Sequence, residues 1–427
     1  MQVKHGYKQT EVGVIPEEWR TATIAEVSDM ITVGFVGSMS HLFTSKGIPV
    51  FRGQDVLPNK LDSSATNFVS IVTHKLWKKS ALQGGDVVMV RVGAGAGISC
   101  VIPEDLGEAN AASLVVIRPC PKKLDATFLS LVINSDFGKR QINSFLVGGA
   151  QPVINTATAA VFRFPLPVDR EQRAIAEALS DVDALLDGLD RLIEKKRDLK
   201  LAAMQQLLTG KTRLPGFYGE WPIKTFGQLF NFSGGYSASR DQLSTEGHCY
   251  LHYGDIHGAT KTFIDVRAEF QDVPKLDIPL QQVSKNSLLE DGDVVFVDAS
   301  EDDEGASRHV VVVNTDNIPF ISGLHTIVAK SKTNELAHDY RRYCFQTPAI
   351  RQQFLFYAVG TKVSGISKTN IAKLEMRVPK VSEQTAIAEV LTDMDAELAA
   401  LEQRREKTSA LKQAMIQELL TGRTRLV

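Results

Sequence analysis

Cysteine is scarce in this sequence, and its placement suits neither a metal site nor a disulfide framework. The four cysteines, Cys100, Cys120, Cys249 and Cys344, are far apart and form no CxxC pair. That spacing is typical of a protein kept in a reducing compartment. The sequence also has no apolar run near the roughly 18–20 residues that a membrane helix needs, and the N-terminal MQVKHGYKQTEVGVIPEEW has no apolar core of a signal peptide. We therefore expect a cytoplasmic protein without a membrane partner.

A basic excess is missing as well. The 427 residues carry a formal net charge of −2, whereas domains that bind nucleic acid often have a strong positive balance. Two interpretations follow. Either the chain does not bind nucleic acid, or it binds through local patches while a partner supplies more of the contacts to phosphate.

Motifs for catalysis are also lacking. Residues 210–212 are Gly-Lys-Thr, the end of a phosphate-binding loop, but Gln205 stands where that motif requires glycine. The run GAGAG at 93–97 is followed by a second apolar segment instead of a helix, which favours a hairpin, with close approach to a ligand as the functional variant. No Asn/Asp-Pro-Pro-Tyr/Phe tetrapeptide of an adenine methyltransferase and no convincing Ser/His/Asp arrangement is present. The sequence therefore indicates no active site.

Candidate metal ligands are few. The acidic run at 301–304 is more typical of a solvated loop than of a cation site. His248, Cys249 and His252 lack a fourth ligand at a suitable spacing. His325 lies in an apolar segment and is expected to be a buried histidine with satisfied hydrogen bonds. We predict no bound metal.

What the sequence does contain is a long internal repeat. Residues 171–214 align with residues 383–426 without a gap, giving 25 identities in 44 positions. Both copies begin on EQ-x-AIAE-x-L and end on LLTG-(K/R)-TRL. Upstream pairs keep the same order: Trp19 with Trp221, GDVV at 85–88 with GDVV at 292–295, and FPLP at 164–167 with MRVP at 376–379. The chain is therefore one structural plan used twice.

Each copy has the period of a long helix. Apolar residues recur at steps of three and four, as in Ile175, Leu179 and Val182, and the stripe weakens only at Lys196 and Thr408. The segments begin after Pro167 and Pro379 and end near Gly210 and Gly422, where C-terminal caps are expected. About 37 residues would form a rod of roughly 55 Å. A narrow stripe on such a rod favours pairing of the two helices; the alternative is that each packs on its own domain.

The remaining segments predict mixed structure. Residues 20–165 and 222–378 contain short runs of Val, Ile and Phe broken by glycine, such as DVVMVRVG and DVVFVDAS. These runs are typical of strands and turns. A helical stretch lies near the end of each region, so each half is predicted to be an α+β domain followed by one long helix.

Together these features resemble the specificity subunit of type I restriction–modification enzymes, over almost the whole chain. The resemblance rests on KQTEVGVIPEEW, the two EQ-x-AIAE-x-L starts, the two LLTG-(K/R)-TRL ends, and LPGFYGEW at 214–221, which restarts the plan. FRGQDV at 51–56, GDVVMVRVGAGAG at 85–97 and VVIRP at 115–119 are further landmarks. The combination is specific, although each motif alone is weak.

The resemblance implies two target-recognition domains, related by a pseudo-two-fold axis and separated by two long helices in an antiparallel coiled coil. The expected boundaries are 1–168 for the first recognition domain, 169–210 for the first spacer helix, 211–380 for a linker and the second recognition domain, and 381–427 for the second spacer helix. Such a subunit is not catalytic alone. Each domain recognises one half of a bipartite, asymmetric site in double-stranded DNA.

The resemblance also implies partners. Two methyltransferase subunits that use S-adenosylmethionine to methylate adenine are expected to dock on this chain, and restriction subunits that use ATP and Mg are expected to join in the full complex. No cofactor is expected on this chain itself.

Candidate DNA contacts come from loops matched across the repeat and from side chains able to pair with base edges. They are Arg52, Gln54, Arg91 and Gln151 in the first domain and Tyr253, Arg308, Lys362 and Ser364 in the second. Lys139 and Arg140 lie on a helical stretch and are expected to contact phosphate, which positions a protein without specifying sequence. The alternative for each is an ordinary surface residue.

Two other functions remain open from the sequence. One is a stand-alone DNA-binding regulator with the same bipartite geometry and no enzymatic partners. The other is an enzyme, such as a nuclease or a fused methyltransferase, which the missing motifs disfavour. Recovery of methyltransferase subunits with this chain would distinguish the first from a specificity subunit, and activity of the purified chain would favour the second.

Overall fold

The computed structural model describes residues 5–64, 66–146, 153–258, 261–300, 308–358 and 364–426. The chain forms two compact units. The first unit comprises Met1–Arg191 and Gln403–Val427, and the second comprises Leu192–Glu402. Each unit is an α+β structure, as the sequence predicts.

The first unit is built on two sheets. Its strands are β1 Tyr7–Thr10, β2 Gly13–Pro16, β3 Arg20–Thr23, β4 Ser28–Val33, β5 Phe43–Thr44, β6 Ile48–Phe51, β7 Val56–Leu57, β8 Lys60–Leu61, β9 Asn67–Val69, β10 Ala81–Leu82, β11 Val87–Val90, β12 Ser99–Val101, β13 Ala109–Ala111, β14 Leu114–Pro119 and β15 Arg163–Leu166. An antiparallel sheet has the order β12-β11-β14-β4, and a second sheet has the order β10-β13-β6-β9-β5. Three smaller pairs are β1-β2, β3-β15 and β7-β8.

Strand β11 shows why these segments are continuously apolar. Successive side chains of a strand point to opposite faces. Val87 and Met89 join the core that contains the helices, whereas Val88 and Val90 join a second core against the other sheet. Because both faces of β11 are buried, the strand needs apolar residues at every position.

Helices cover one face of the antiparallel sheet. They are α1 Ile24–Val27, α3 Ala126–Asn134, α4 Asp136–Leu146, α5 Thr156–Ala160 and the long helix α6 Asp169–Leu207, which continues into the second unit. Helix α2 Ile71–Leu76 instead contacts the second sheet, where His74 Nδ1 lies 2.7 Å from Asn110 Oδ1 on β13. The predicted helical stretch before α5 is broken between α3 and α4, because Ser135 adopts an extended backbone conformation. At Gly138 a Cβ atom would lie 2.3 Å from the carbonyl oxygen of Ile133, so only glycine allows so tight a break.

The second unit repeats this plan. Its strands are β16 Ile223–Thr225, β17 Phe230–Gly234, β18 Leu243–Ser244, β19 His248–Leu251, β20 Phe263–Asp265, β21 Lys275–Leu276, β22 Val294–Val297, β23 Ala299–Ser300, β24 His309–Val313, β25 Phe320–Ser322, β26 Thr326–Ser331, β27 Ser364–Gly365 and β28 Glu375–Arg377. Its helices are α7 Phe226–Leu229, α8 Tyr253–Gly258, α9 Arg341–Cys344, α10 Pro348–Tyr357, α11 Lys368–Ile371 and the long helix α12 Val381–Leu419, whose C-terminal part belongs to the first unit. The sheet orders are β17-β26-β22-β24-β20 and β18-β21-β19-β25, with the pairs β16-β28 and β23-β27.

The upstream matches in the sequence correspond to equivalent strands. GDVV opens β11 in one unit and β22 in the other. The segment after Trp19 pairs with FPLP, as Ala22 faces Phe164, and the segment after Trp221 pairs with MRVP, as Lys224 faces Met376. Each α+β region therefore begins and ends in one antiparallel strand pair.

The predicted long helices are confirmed. Helices α6 and α12 each contain 39 residues and begin at equivalent positions of the repeat. At 1.5 Å per residue each is about 58 Å long. Gly210 has φ +70° and Gly422 has φ +69°, the left-handed conformation of a helix C-terminal cap.

Within each unit, parts of the two long helices run antiparallel. In the first unit, Asp183 pairs with Lys412, and Asp190 pairs with Arg405 at 2.5 Å. As the residue number rises along α6 it falls along α12, which defines the direction. The prediction that the two helices pair is therefore confirmed, although their N-terminal turns also pack on the α+β regions through residues such as Ile175.

Ion pairs occupy the region where the apolar stripe weakens. In the second unit the Lys196 ammonium lies 2.7 Å from Glu397, and Lys200 pairs with Asp395. Asp395 and Lys200 are the repeat equivalents of Asp183 and Lys412, which make the corresponding pair in the first unit. Charge complementarity therefore replaces apolar contact at these helix positions.

The two ends of the repeated motif meet inside each unit. In the first unit Glu171, fully buried at the start of α6, accepts a hydrogen bond from the indole of Trp19 at 2.8 Å and pairs with Arg425 beyond the end of α12. In the second unit Glu383 accepts from Trp221 at 3.1 Å and pairs with Arg213. We call each Glu–Trp–Arg set a helix-end clamp.

The glutamine beside each clamp glutamate fixes the α+β region to the helix. Gln172 donates to the carbonyl of Pro167 at 3.0 Å, and its carbonyl oxygen accepts from the main chain of Asp125 at 2.9 Å. Gln384 donates to Pro379 at 2.8 Å and accepts from Ala337 at 2.7 Å. The repeated Glu-Gln pair is therefore a structural joint.

Candidate nucleic-acid interface

Three of the predicted contacts in the first unit lie on adjacent loops. A 3₁₀ turn at Gly53–Asp55 follows β6, and the buried carboxylate of Asp55 accepts from the main-chain N–H of Arg52 at 2.8 Å. This bond leaves the side chain of Gln54 exposed. The Arg52 guanidinium lies 5.7 Å from the ring centre of Phe43, which holds it against the surface of the unit.

Arg91 approaches the same turn from the end of β11. A Cβ atom on Gly53 would lie 3.2 Å from Val90, the neighbour of Arg91, so the two loops touch. Arg91 Nε donates to the carbonyl of Ile154 at 3.2 Å, and Ile154 N–H donates back to the Arg91 carbonyl at 2.9 Å. The turn that carries Arg52 and Gln54 therefore lies beside Val90, while the Arg91 side chain is directed to Ile154. Gln151 lies outside the described residues.

The glycine run is a hairpin, as the sequence predicts, because β11 and β12 pair antiparallel on either side of it. Gly97 has φ +92°, and a Cβ atom there would lie 2.8 Å from Ile142 on α4. Glycine is thus required at that position by the backbone and by the approach of the helix.

Lys139 and Arg140 are both exposed on α4. Arg140 lines a hollow with Ile416 and Leu420, at the end of α12. Arg52, Gln54 and Arg91 do not line that hollow.

In the second unit the corresponding surface is an aromatic and imidazole cluster. Tyr253 begins α8, and its ring centre lies 4.5 Å from that of His252, with the planes at 37°. His257 and His325 meet the Tyr253 ring nearly edge-on, at 6.1 Å and 5.5 Å. Arg308 donates to the main-chain carbonyl of His257. The structure therefore brings Tyr253 and Arg308 together, as their selection for one interface requires.

The other two candidates in this unit are only partly described. The main chain of Ser364 pairs with Ser300 in the β23-β27 ribbon, directly after Asp298. Lys362 lies outside the described residues, as does the acidic run at 301–304. Among the described residues no cluster of His, Cys, Asp and Glu has the arrangement that a metal ion needs.

The expectation for His325 is wrong. Its side chain is 49% exposed, and its φ of +59° places it in a turn before β26. Because His325 has a left-handed backbone conformation just before the strand, its side chain does not follow the strand's alternation between two faces. Its apolar neighbours were therefore a poor guide to its burial. His325 instead lies 3.3 Å from the carboxylate of Asp298.

Burial is the main reason that the pKa of His252 is lowered. The charge of Asp255 opposes this shift, and Arg240 and His325 add to it. His252 Nδ1 accepts from the main-chain N–H of Gly254 at 3.0 Å, so the ring shapes the turn in its neutral form. In both units an aspartate three residues on, Asp55 or Asp255, accepts from the residue that opens this turn.

Three residues of this surface were not among the contacts predicted from the sequence. They are Arg240, His257 and Asp298. Asp298 had an available signal, because the repeat aligns it with Arg91. His257 and Arg240 had none, since their proximity to Tyr253 depends on the fold.

Comparison with known proteins agrees with these features. The family model described as the type I restriction modification DNA specificity domain matches residues 16–195 and again residues 218–410. The putative type I restriction enzyme MjaX specificity subunit of Methanocaldococcus jannaschii is 22% identical over 441 aligned residues, covering 99% of this chain and 97% of that protein. The EcoKI specificity subunit of Escherichia coli K12 is 20% identical over 430 residues, covering 96% and 89%.

A similar fold is known from a crystal structure. The S subunit of a type I restriction–modification system from M. genitalium superposes with a TM-score of 0.56 at 16% identity, covering 98% of both chains. In the described part of the chain no helix has the length and apolarity needed to cross a membrane. With the family model matching most of the sequence in two successive copies, the chain belongs to the family of type I restriction–modification DNA specificity subunits.

Proposed function

We propose that each recognition domain recognises one half of a bipartite, asymmetric DNA site, with the long helices setting the spacing. The proposed domains are residues 1–168 and 211–380, and the proposed spacers are 169–210 and 381–427. One observation carries the proposal. The two units share a framework down to the helix-end clamps, yet differ in the polar side chains at equivalent surface positions, such as Arg91 and Asp298. Two domains with the same framework but different surface side chains are suited to two DNA half-sites of different sequence.

The first surface offers hydrogen-bond donors to DNA. Arg52 and Arg91 can donate in pairs to guanine, and Gln54 can pair with adenine in the major groove. Gln151 is proposed for the same surface. Lys139 and Arg140 are proposed as phosphate contacts, which add affinity that depends on salt but not on sequence.

The second surface is chemically different. Tyr253 offers an aromatic edge and a hydroxyl, and Arg308 carries the charge available to a base or a phosphate. Ser364 and Lys362 are proposed to extend this surface. With Arg240, Arg308 and several imidazoles, the second domain is suited to a different base sequence from the first.

Two methyltransferase subunits are proposed to dock on this chain, and restriction subunits are proposed to join the full complex. S-adenosylmethionine, ATP and Mg would be bound by those partners, and this chain would position them on DNA. A net charge of −2 supports this division of labour, because counterion release from phosphate provides much of the affinity of DNA-binding proteins. The chain alone should therefore bind duplex DNA weakly at physiological salt, and the complex tightly.

The direct test is a map of N6-methyladenine in DNA from cells that carry the system. The proposal predicts a split motif with a non-specific gap, and methyltransferase subunits recovered with this chain in a two-to-one ratio. A continuous motif would contradict the two-domain model. Tight, sequence-selective binding by the chain alone, without methyltransferase partners, would instead favour a stand-alone regulator.

A further inference from the structure

Asp298 occupies the place in the second unit that Arg91 occupies in the first. Each is the residue after the central strand, β22 or β11. The carbonyl of Asp298 accepts from Ile366 N–H at 2.7 Å, and the carbonyl of Arg91 accepts from Ile154 N–H at 2.9 Å. Ile154 and Ile366 are themselves separated by the repeat offset. One framework position therefore carries a cation in one domain and an anion in the other.

The side chain of Asp298 is partly exposed, although one of its carboxylate oxygens is buried. Its side chain is 34% exposed. Oδ1 lies 3.3 Å from His325 Nδ1 but forms no hydrogen bond to any residue that the structure describes. Because Oδ1 is buried, a ligand can reach this carboxylate only through its exposed part.

The surroundings hold this carboxylate in place. The main-chain N–H of Asp298 donates to the His325 carbonyl at 3.1 Å, and the His325 ring lies 3.3 Å from the carboxylate. Tyr253 stands edge-on to the His325 ring at 5.5 Å. The carbonyl of Arg308 accepts from Val297, next to Asp298, at 3.0 Å. Asp298 thus lies among the candidate DNA contacts of this unit.

An acidic group on a DNA-binding surface has a narrow range of uses. Phosphates repel it, so it cannot serve as a backbone contact. It can accept a hydrogen bond from an exocyclic base amine in the major groove, either N4 of cytosine or N6 of adenine. Arg91, at the equivalent position, can only donate.

We infer that Asp298 is a specificity-determining residue of the second domain, accepting a hydrogen bond from an exocyclic base amine, and that His325 positions its carboxylate. This inference rests on the proposed function. It also assigns opposite hydrogen-bonding roles to one framework position, a donor in the first domain and an acceptor in the second.

The test removes the amine from the DNA and the acceptor from the protein. The purified complex with its methyltransferase subunits is given duplexes in which each amine of the second half-site is deleted in turn, with purine for adenine or 2-pyrimidinone for cytosine. Methyl transfer to the first half-site is measured at limiting DNA. Wild-type complex should lose about 10-fold in rate for one particular deletion, and the identity of that base distinguishes cytosine from adenine.

The variant Asp298→Asn should be slower on the intact site and insensitive to that one deletion, while it keeps wild-type sensitivity to the others. Asp316→Asn is the matched control, because Asp316 is a surface carboxylate paired with Arg267 at 3.2 Å in the same unit, at the far end of β24 from Arg308. It should behave as wild type throughout. His325→Gln should weaken the same contact partially.

Several outcomes would overturn the inference. A split motif with no sensitive amine in the second half-site would overturn it alone, as would Asp298→Asn retaining the sensitivity of wild type. If Asp298→Asn does not assemble, Asp298→Ala repeats the measurement, and failure of both would make Asp298 a folding residue and reject its role in recognition. A methylation map without a split motif would reject the proposed function and the inference together.

Discussion

Arg425 and Glu171, 254 positions apart in sequence, form a paired hydrogen bond in the first unit, with N–O distances of 2.5 Å and 2.9 Å. Glu171 lies in the motif EQ-x-AIAE-x-L that begins the first copy of the repeat. Arg425 lies in the motif LLTG-(K/R)-TRL that ends the second copy. The same relationship joins Glu383 and Arg213 in the second unit. The repeated residues are therefore partners of each other, since the end of one long helix must meet the start of the other to complete each clamp.

Breaking a clamp should destabilise the protein markedly. Arg425→Met leaves the fully buried carboxylate of Glu171 with the Trp19 indole but without its cation. Removing one partner of a buried ion pair costs about 3 kcal/mol or more. Urea unfolding of the full chain measures this loss. Arg423→Met is the control, because Arg423 is exposed and lies 3.6 Å from Glu418, and it should change stability by less than about 0.5 kcal/mol. Equal effects of the two variants would refute the clamp.

Two glycines of the long helices should respond in opposite directions to the same substitution. At Gly422, φ is +69° and an added Cβ atom would lie 2.5 Å from Pro16, so Gly422→Ala should cost at least about 1–2 kcal/mol from the backbone alone. At Gly188, inside α6, an added Cβ atom meets nothing within 4 Å. Gly188→Ala should therefore raise the free energy of unfolding by about 0.5–1 kcal/mol. Thermal unfolding of both variants checks the signs, and a stabilising Gly422→Ala would contradict the cap.

The lowered pKa of His252 predicts that the folded protein loses stability in mild acid. Its pKa in the folded chain is lowered from the ordinary 6.5, chiefly by burial. The unfolded chain therefore binds the proton first, and folding stability falls as the pH drops below about 6.5 towards the folded pKa. His252→Asn keeps an acceptor for the Gly254 N–H and removes the titration. Urea midpoints at pH 7.5 and 5.5 should differ less in the variant than in the wild type, and an unchanged difference would exclude His252 as a source.

Base contacts and phosphate contacts should separate by salt dependence. Arg91→Ala should relax selectivity in the first half-site, because a bidentate contact to guanine contributes about 1–3 kcal/mol of discrimination. Lys139→Ala should instead weaken binding of the complex equally to all sequences and lower the salt slope by about 1. Binding is measured for cognate and altered duplexes between low and physiological salt.

Arg140→Ala provides a comparison within the same helix. Loss of a phosphate contact would lower the salt slope as for Lys139→Ala. An unchanged slope would assign Arg140 to the hollow beside Ile416 and Leu420 instead of to DNA.

The long helices could be predicted from sequence because their period and their repetition are local signals. The ends of α6 and α12 follow from proline before and glycine after each segment. The clamp could not be predicted in the same way. The sequence around Glu171 and Arg425 does not show that these two charged residues are partners. Only the antiparallel arrangement of the helices brings them together.

The candidate DNA-contact surfaces were predictable in part. The candidates Arg52, Gln54 and Tyr253 lie on turns of equivalent construction, in which Asp55 or Asp255 accepts from the main chain of the residue that opens the turn. His325 was misjudged because its left-handed φ is a property of the turn, which apolar neighbours do not reveal. Strands of two or three residues, such as β23 and β27, have no periodicity long enough to detect.

The central claim is that each recognition domain recognises its own half of the DNA site. The most direct measurement replaces residues 222–378 with the recognition domain of another specificity subunit and maps N6-methyladenine in cells. The exchange points are adjacent in the fold, since Val378 N–H donates to the carbonyl of Pro222 at 2.9 Å, so both clamps are kept. The account predicts that one half of the split motif changes while the other half is unaltered. A change in both halves, or in neither, would contradict it.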